Sequence, residues 1–283
     1  MRIARVFPHG GKRTKATPID RYSFIGSPGL FPPEVDEVHI SVTFTWDLPE
    51  AERLAEAWAR IAPVKIGGPA TGERSGNFTP GMYLKPGYVI TSRGCPNHCW
   101  FCSVPKREGN VRELTIAGGW NVLDDNLLAC SEEHISAVFN MLRQQRKPIE
   151  FTGGLEPKRM TASIANELRV LKPKQVFFAY DTPDDFEPLR EAVTMCWNAG
   201  FSKAGHRLRA YVLIGFQGDS FDGAERRLRS VLSLGVIPMA MLYRDKTGKA
   251  DPGWKAFQRQ WARVALIGKA AANMVYVQDM RQR

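Results

Sequence analysis

Three cysteines in one short segment are the residues of this chain best suited to chemistry. Cys95, Cys99 and Cys102 fall within eight residues, at Cys-x-x-x-Cys-x-x-Cys spacing. A 4Fe-4S cluster that is held by protein alone normally takes four thiolates. Three thiolates at this spacing therefore predict an iron-sulfur centre in which one iron is open to a ligand from outside the protein.

Two other interpretations of the cysteines are open. His98 would complete a Cys3His zinc site, but it directly precedes Cys99, whereas zinc ligand pairs are normally separated by a turn of chain. The thiols would otherwise be redox-active or buried without a metal. Because Cys130 and Cys196 are far from the segment, we expect them to be small core residues. Clustered cysteines favour a reducing compartment with metal binding over a disulfide framework.

The chain after residue 87 alternates between apolar, β-branched runs and longer amphipathic stretches, which is typical of parallel strands joined by helices. The predicted strands are residues 88–92, 121–123, 149–152, 175–180, 209–214 and 237–242. The predicted helices are residues 132–145, 161–171, 186–199, 222–234 and 254–271. This pattern predicts an α/β fold, a partial (β/α)6 TIM-like open barrel whose active site lies at the carboxyl ends of its strands.

The two ends of the chain differ in pattern from this barrel. Residues 1–86 predict a small α/β appendage, with a strand at 37–46, a helix at 50–61 and a strand at 64–66. Residues 244–283 predict a basic helical extension after the barrel at 87–243. We therefore expect three parts, of which the middle one carries the cysteines.

Charge and hydropathy limit the partners and the location. The net charge is +10 with a pI near 9.5, which suits a nucleic-acid or nucleoside partner without identifying one. The first residues lack the features of a signal peptide, and no apolar run reaches the roughly 18 residues that a bilayer requires. The sequence predicts a cytoplasmic protein with no membrane partner.

The chain resembles the radical S-adenosylmethionine superfamily in two features. These are the cysteine segment, with Phe101 directly before its last cysteine, and the strand-helix alternation over residues 87–243. The resemblance implies that Cys95, Cys99 and Cys102 bind three irons of a 4Fe-4S cluster. It implies that S-adenosylmethionine chelates the fourth iron, with Phe101 near the adenine. Reductive cleavage then yields a 5′-deoxyadenosyl radical, and an electron donor such as flavodoxin or ferredoxin is required.

The appendage is faintly similar to a degenerate cobalamin-binding domain. Gly67, Gly68 and Pro69 follow its last predicted strand in the manner of such domains. The Asp-x-His-x-x-Gly element that ligates cobalamin is absent. The segment is therefore interpreted as a remnant with a structural or docking role.

Two segments match the superfamily position that hydrogen-bonds the methionine ammonium. One follows the second strand and contains Asp124, Asp125 and Asn126. The other follows the third strand and contains Gly153, Gly154 and Glu156. Strand order favours the first segment slightly, whereas glycines that permit close approach and a carboxylate acceptor favour the second.

Later strands add further cofactor-binding candidates. Tyr180 and Asp181 end the fourth strand and are expected at the barrel mouth, although an Asp at this place often caps the next helix. Ile214 and Gly215 end the fifth strand, where the superfamily places an apolar residue against the adenine. Arg209 on the same strand is a candidate partner for the methionine carboxylate.

These observations predict a radical S-adenosylmethionine enzyme that acts on an unidentified substrate, for which a nucleoside or nucleic acid fits the charge. The alternative is a zinc-stabilised nucleic-acid-binding protein without catalysis. Iron content separates the two classes.

Overall fold

The computed structural model describes residues 1–8 and 15–261. The chain divides into two compact units. The first unit contains residues 1–125 and 246–248, and the second contains residues 126–245 with the described residues after 248. The predicted boundaries at residues 86 and 243 stay a prediction, and residues 262–283 of the predicted extension lie outside the described residues.

The first unit begins with a four-stranded parallel sheet. Its elements are β1 (Ile3–Phe7), β2 (Ser23–Ile25), β3 (Glu37–Ser41), α1 (Leu48–Trp58) and β4 (Val64–Gly67). The strand order is β2-β1-β3-β4, and all three pairings are parallel. The helix turns Ala51, Leu54 and Trp58 to the core, where each is fully buried. This i, i+3, i+7 spacing is the apolar stripe that a helix needs in order to pack on a sheet.

The rest of the first unit contains short elements around the cysteines. They are β5 (Tyr88–Val89), β6 (Ser92–Arg93), α2 (Val104–Glu108), β7 (Arg112–Glu113) and β8 (Asn121–Val122). Strands β5 and β8 are parallel neighbours, whereas β6 and β7 form an antiparallel pair. The segment that carries the cysteines therefore connects the two strands of the antiparallel pair, β6 and β7.

The second unit alternates strands with helices. Its elements are α3 (Glu132–Arg143), β9 (Glu150–Leu155), α4 (Ala162–Leu171), β10 (Gln175–Tyr180), α5 (Phe186–Asn198), β11 (Leu208–Ile214), α6 (Phe221–Ser233), β12 (Ile237–Leu242) and α7 (Pro252–Gln260). The strands are parallel in the order β12-β11-β10-β9. Side chains of Ser131, Thr161 and Ser220 cap α3, α4 and α6 by accepting from backbone N–H groups.

The predicted fold class is confirmed: the protein is α/β, with a parallel sheet of six strands and intervening helices. Strands β10 and β12 have the predicted bounds. The predicted helix at 254–271 is present as α7, and its remainder after residue 261 lies outside the described residues. Across the described residues, no helix has the length and apolar character that crossing a bilayer requires.

Three predictions about strands were wrong in detail. The predicted strand at 88–92 is two strands, because the chain leaves the parallel sheet at Thr91. The predicted strand at 37–46 ends at Ser41, and residues 45–47 form a 3-10 turn into α1. Strands β1 and β2 were missed because Arg5 looks like surface charge. Its guanidinium is instead buried, donating to the carbonyls of Gly81 and Met82 and pairing with Asp20.

The buried stripe of α1 generates a stability prediction. We expect Leu54→Ala to lower the free energy of unfolding by about 2–5 kcal/mol, since it leaves a cavity against β1 and β3. Glu52→Ala, on the exposed face of the same helix, is the control and is expected to change stability by less than about 0.5 kcal/mol. Urea unfolding measures both. Equal losses in the two variants would contradict the packing of this helix.

Candidate active site

The three cysteines lie on a loop between β6 and α2. Cys99 is exposed, and Cys95 and Cys102 are half-buried. The backbone N–H of Cys102 donates to the carbonyl of Cys99 at 3.0 Å, and that of Cys95 donates to Gly109 at 3.1 Å. The loop is thus closed by a turn at its tip and fastened at its base, and α2 begins directly after it.

The donor set of this loop fits an iron-sulfur cluster. All five cysteines are described and none forms a disulfide, so the loop presents three sulfur atoms of the type that binds iron. Phe101 makes an edge-on contact with Trp100, at 5.3 Å between ring centroids. Within residues 1–8 and 15–261, no three Cys, His, Asp or Glu side chains meet as a group that could hold a metal ion. The structure places the thiols on one accessible loop but does not gather them. Cys196, expected in the core, is fully buried, and burial raises the pKa of its thiol to about 12.

Gly94 lets the chain enter the loop. Its φ is +89°, a left-handed conformation that favours glycine. A Cβ at this position would overlap the carbonyl group of Asn110. The turn into Cys95 therefore requires glycine for both backbone conformation and space.

Asp124 holds the segment that leads into the loop. It is 3% exposed, and its Oδ1 accepts from the backbone N–H of Thr91 at 2.7 Å. Its Oδ2 accepts from the hydroxyl groups of Thr91 and Ser92, at 2.6 and 2.7 Å. Three hydrogen bonds to one buried carboxylate compensate its loss of hydration. This contact ties the end of β8 to the chain just before the cysteines.

Asp125 continues this attachment. Its Oδ2 accepts from the backbone N–H of Gly94 at 2.9 Å, and the guanidinium of Arg93 lies 3.9 Å from its Oδ1. Burial raises the pKa of this carboxyl above its usual range, opposed by the Gly94 hydrogen bond and the Arg93 charge. Two consecutive acids after one strand therefore contact four consecutive residues before the first cysteine.

Glu108 fastens the segment that leaves the loop. Its side chain is fully buried and accepts from the hydroxyl of Ser75 at 2.6 Å and from Arg107 Nε at 3.0 Å. Arg112 lies 3.5 Å away and also donates to the Ser75 carbonyl at 2.7 Å. Burial opposes ionisation of Glu108, but the hydrogen bonds from Ser75 and Arg107 outweigh it, so its pKa is lowered. The sequence contains no signal for this contact.

The two segments proposed for the methionine ammonium meet in the second unit. The side-chain amide of Asn126 donates to Glu156 Oε2 at 2.7 Å. The same carboxylate oxygen accepts from Arg159 Nε at 2.7 Å. The sequence alternatives therefore share one hydrogen-bonded pair, which combines one residue from each segment.

The glycines of the second segment lie in a bulge rather than in a loop. Strand β9 extends to Leu155, and its register against β10 shifts between Val176 and Phe178. Gly154 has a φ of +90° within the bulge, and Gly153 is exposed. The bulge places these glycines inside the strand, directly before Glu156.

Tyr180 ends β10, and Asp181 follows it directly. Tyr180 is 4% exposed and packs on Phe186 of α5, so burial raises the pKa of its phenol. The turn before α5 is capped by Thr182 and Asp185: the backbone N–H and the hydroxyl of Thr182 both donate to Asp185 Oδ2, at 3.0 and 2.9 Å. Asp181 is therefore not the residue that caps this helix. Burial, assisted by the nearby Asp185 charge, raises the pKa of Asp181 to about 7.

Arg209 is distant from the carboxyl end of its strand. It is the second residue of β11, about 17 Å along the strand from Ile214 at 3.3–3.4 Å per residue. Its guanidinium lies over the ring of Phe177 at 5.6 Å, and Phe177 stacks on Tyr211 at 4.3 Å. The buried Nε of Arg209 has no hydrogen-bond partner.

Ile214 and Gly215 end β11 in a tightly packed environment. Ile214 is fully buried. Gly215 has a φ of +72°, and an added Cβ would lie 2.7 Å from Leu242 and 3.0 Å from Trp254. Its backbone N–H donates to Asp219 at 2.8 Å. The chain passes close to its neighbours at this strand end.

The predicted site residues fall in both units. The first unit holds Cys95, Cys99, Phe101, Cys102, Asp124 and Asp125. The second unit holds Asn126, Gly153, Gly154, Glu156, Tyr180, Asp181, Arg209, Ile214 and Gly215. Within the first unit, the structure links Asp124 and Asp125 to the cysteine loop; within the second, it links Asn126 to Glu156. The sequence did not indicate roles for Thr91 and Ser92, which donate hydrogen bonds to Asp124. It also did not indicate a role for Glu108, which fastens the segment after the loop to Ser75.

The environment of Gly94 generates a prediction about metal content. We expect Gly94→Ala to lower iron and sulfide per chain after anaerobic reconstitution by more than half, because the left-handed turn costs about 1–2 kcal/mol for alanine and its Cβ overlaps Asn110. Gly118→Ala is the control, since Gly118 has open space and an ordinary φ. Full iron content in Gly94→Ala would contradict the tight turn.

The environment of Asp181 generates a prediction about pH. Because its folded pKa is raised to about 7 from 3.8, its neutral form favours folding below pH 4, and that contribution is lost as pH rises from 4 to 7. We expect Asp181→Asn to reduce the fall in unfolding free energy between pH 5 and pH 8 by roughly 2–4 kcal/mol. Urea unfolding at both pH values measures this. The neighbouring exposed Asp184→Asn is the control, and an equal effect there would contradict the assignment.

Comparisons with known proteins complete the description of this site. No family model matches the sequence, and no curated protein is similar to it. Among solved structures, coproporphyrinogen III oxidase (HemN) from Escherichia coli, a radical SAM enzyme, aligns with a TM-score of 0.39 and 13% identity over 67% of this chain. The chain spans about half, 52%, of that structure's length. Function is therefore inferred from the residues of the chain itself.

Proposed function

We propose that this protein is a radical S-adenosylmethionine enzyme. Cys95, Cys99 and Cys102 would hold a 4Fe-4S cluster, and S-adenosylmethionine would bind as the remaining iron ligand. Together these groups supply reductive cleavage of the sulfonium to a 5′-deoxyadenosyl radical, which removes hydrogen from a substrate. The observation that carries the proposal is the three-thiol loop that follows β5 and β6. Its three thiols would leave the fourth iron of a 4Fe-4S cluster without a ligand from the protein.

The chain around the loop supports this role by keeping the ligands in position. Asp124 and Asp125 hold the chain before Cys95, and Glu108 holds the chain after Cys102. A cofactor site depends on such supporting contacts, because a loosely held ligand loses both affinity and orientation. Because both ends of the loop are fastened, binding a cluster would require ordering only the residues between them.

The remaining cofactor contacts are proposals from the second unit. The Asn126 and Glu156 pair offers a carboxylate acceptor for an ammonium group. Asp181, whose pKa is raised to about 7, offers a carboxyl group that could bind a ribose hydroxyl or transfer a proton to or from a substrate. Gly215 and Ile214, which is fully buried, are weaker candidates for a contact with an adenine. Gly153, Gly154, Tyr180 and Arg209 remain weaker candidates.

The proposed partners follow from this chemistry. The cluster requires one electron for each cleavage, so a flavodoxin or ferredoxin is the proposed donor. Cysteines that form no disulfide and an oxygen-sensitive cluster would suit a reducing compartment, and we propose the cytoplasm.

The proposal is tested by comparing cysteine variants. We expect the reconstituted protein to contain about four irons and to form 5′-deoxyadenosine when S-adenosylmethionine and dithionite are added. Cys99→Ala should lower both iron content and 5′-deoxyadenosine to background while the circular dichroism spectrum is kept. Cys130→Ala, outside the loop, is the matched control and should retain both. Stoichiometric zinc without 5′-deoxyadenosine would instead indicate the non-catalytic zinc protein.

A further inference from the structure

A cavity of about 580 Å3 opens at the carboxyl edge of the first sheet, within the first unit. Phe7, Ser41 and Gly67, which end β1, β3 and β4, all line it. The crevice at the carboxyl ends of parallel strands is where such sheets bind ligands, and this volume lies within the usual range for small-molecule sites. The appendage therefore has the position and the space for a ligand of its own.

The cavity also borders the base of the cysteine loop. Ile90, Arg93 and Leu123 line it, and Arg93 is two residues before Cys95. Ser75 also lines the cavity, and its hydroxyl donates a hydrogen bond to Glu108, six residues after Cys102. None of the cofactor-binding candidates lines this cavity. Its position therefore suits a substrate beside the cluster better than it suits the cofactor.

The charges of the cavity favour an anion. Three cationic side chains, Lys65, Arg74 and Arg93, line it together with one acid, Glu73. Lys65 is already paired with Glu37 at 2.9 Å. Arg93 is paired with Asp125 at 3.9 Å. Among the described residues, Arg74 makes no ion pair or hydrogen bond. Arg74 is thus available to a phosphate or carboxylate, and Arg93 adds a second guanidinium to the lining.

The aromatic residues of the cavity favour a planar ring. Phe44 lines it and is 40% exposed, and its ring stacks in parallel on Trp46 at 4.6 Å with 6° between the rings. Phe78 and Tyr83 add aromatic surface. A rigid, partly exposed ring of this kind is a platform on which nucleobases stack.

A chain of hydrogen bonds supplies a polar contact for that ring. Glu37 accepts from His39 Nε2 at 2.9 Å, and Tyr83 Oη lies 2.6 Å from His39 Nδ1. Hydrogen bonds from Lys65 and His39 lower the pKa of Glu37, so its carboxylate is ionised and accepts a hydrogen bond from Nε2–H. In the tautomer that carries its proton on Nε2, Nδ1 accepts from the Tyr83 hydroxyl. The phenol oxygen keeps its acceptor capacity for an N–H group of a ligand.

We propose that this cavity binds a nucleotide, with its phosphate at Arg74 and Arg93, its base on Phe44 and a base N–H group at Tyr83. The binding of a nucleotide in this cavity is independent of the proposed function. Its role as the substrate rests on the proposed function. The proposal gives the appendage a purpose that the missing cobalamin motif leaves open.

Binding is tested on the full chain without cluster chemistry. Calorimetry with adenosine, guanosine, cytidine and uridine 5′-monophosphates should find at least one that binds about ten-fold more tightly than its nucleoside, because the nucleoside lacks the phosphate. Ribose 5-phosphate should bind more weakly than that monophosphate, because it lacks the base. A single-stranded oligonucleotide that binds more tightly still, at the same residues, would assign the nucleotide to a nucleic acid.

Matched variants locate the site. Phe44→Ala and Arg74→Gln should each weaken binding about ten-fold or more. Phe31→Ala and Arg53→Gln are controls, because these exposed side chains lie outside the cavity. Absence of binding by all four monophosphates, or equal binding in Phe44→Ala, Arg74→Gln and the controls, would overturn the proposal. Cobalamin binding that is lost in the same two variants would also overturn it.

The cluster variant separates this proposal from the proposed function. Cys99→Ala should bind the monophosphate as tightly as the natural chain does. If nucleotide binding holds but no chain forms 5′-deoxyadenosine, the enzyme proposal fails and the cavity assignment stands. If 5′-deoxyadenosine forms but no nucleotide binds, the cavity assignment fails and the enzyme proposal stands.

Discussion

The buried carboxylate of Asp124 is the interaction on which the arrangement around the cysteines depends. A carboxylate removed from water is strongly unfavourable unless hydrogen-bond donors surround it. Thr91 and Ser92 supply one backbone and two hydroxyl donors, all at 2.6–2.7 Å. The chain can provide these donors only by leaving the parallel sheet at Thr91. The path into the cysteine loop is therefore a consequence of satisfying one buried charge.

Asp125 and Glu108 also hold the backbone around the cysteine loop in position. Asp125 accepts a hydrogen bond from Gly94 and Glu108 accepts one from Ser75, and neither acid lines the cavity. The Glu108 contact also joins Ser75, a lining residue of the cavity in the first unit, to the segment after the third cysteine. Asp181 differs, because its turn is capped by other residues and burial leaves its carboxyl titrating near neutrality.

Much of the fold was predictable because it follows from periodicity. Strand β10 and strand β12 were predicted residue by residue, since their apolar runs end at clear turn or helix signals. Strand β1 was not predictable in this way, because Arg5 interrupts its apolar pattern. Its burial depends on Asp20 and on the carbonyls of Gly81 and Met82, which are distant in sequence. Local pattern does not contain such partners.

The same division applies to the functional residues. The sequence alone determined that three cysteines share one short loop, because their spacing is local and needs no distant partner to be identified. It also determined that acids follow the second and third strands. Only the tertiary structure decided what those acids do: Asp124 turns to Thr91 and Ser92, whereas Asn126 meets Glu156. It alone revealed the cavity of the first unit, because its lining residues come from four strands, β1, β3, β4 and β6, and from several segments between strands. The type and spacing of residues can be read from a short stretch of sequence. The hydrogen-bond partners of buried polar groups and the lining of a cavity depend instead on which distant segments meet in the fold.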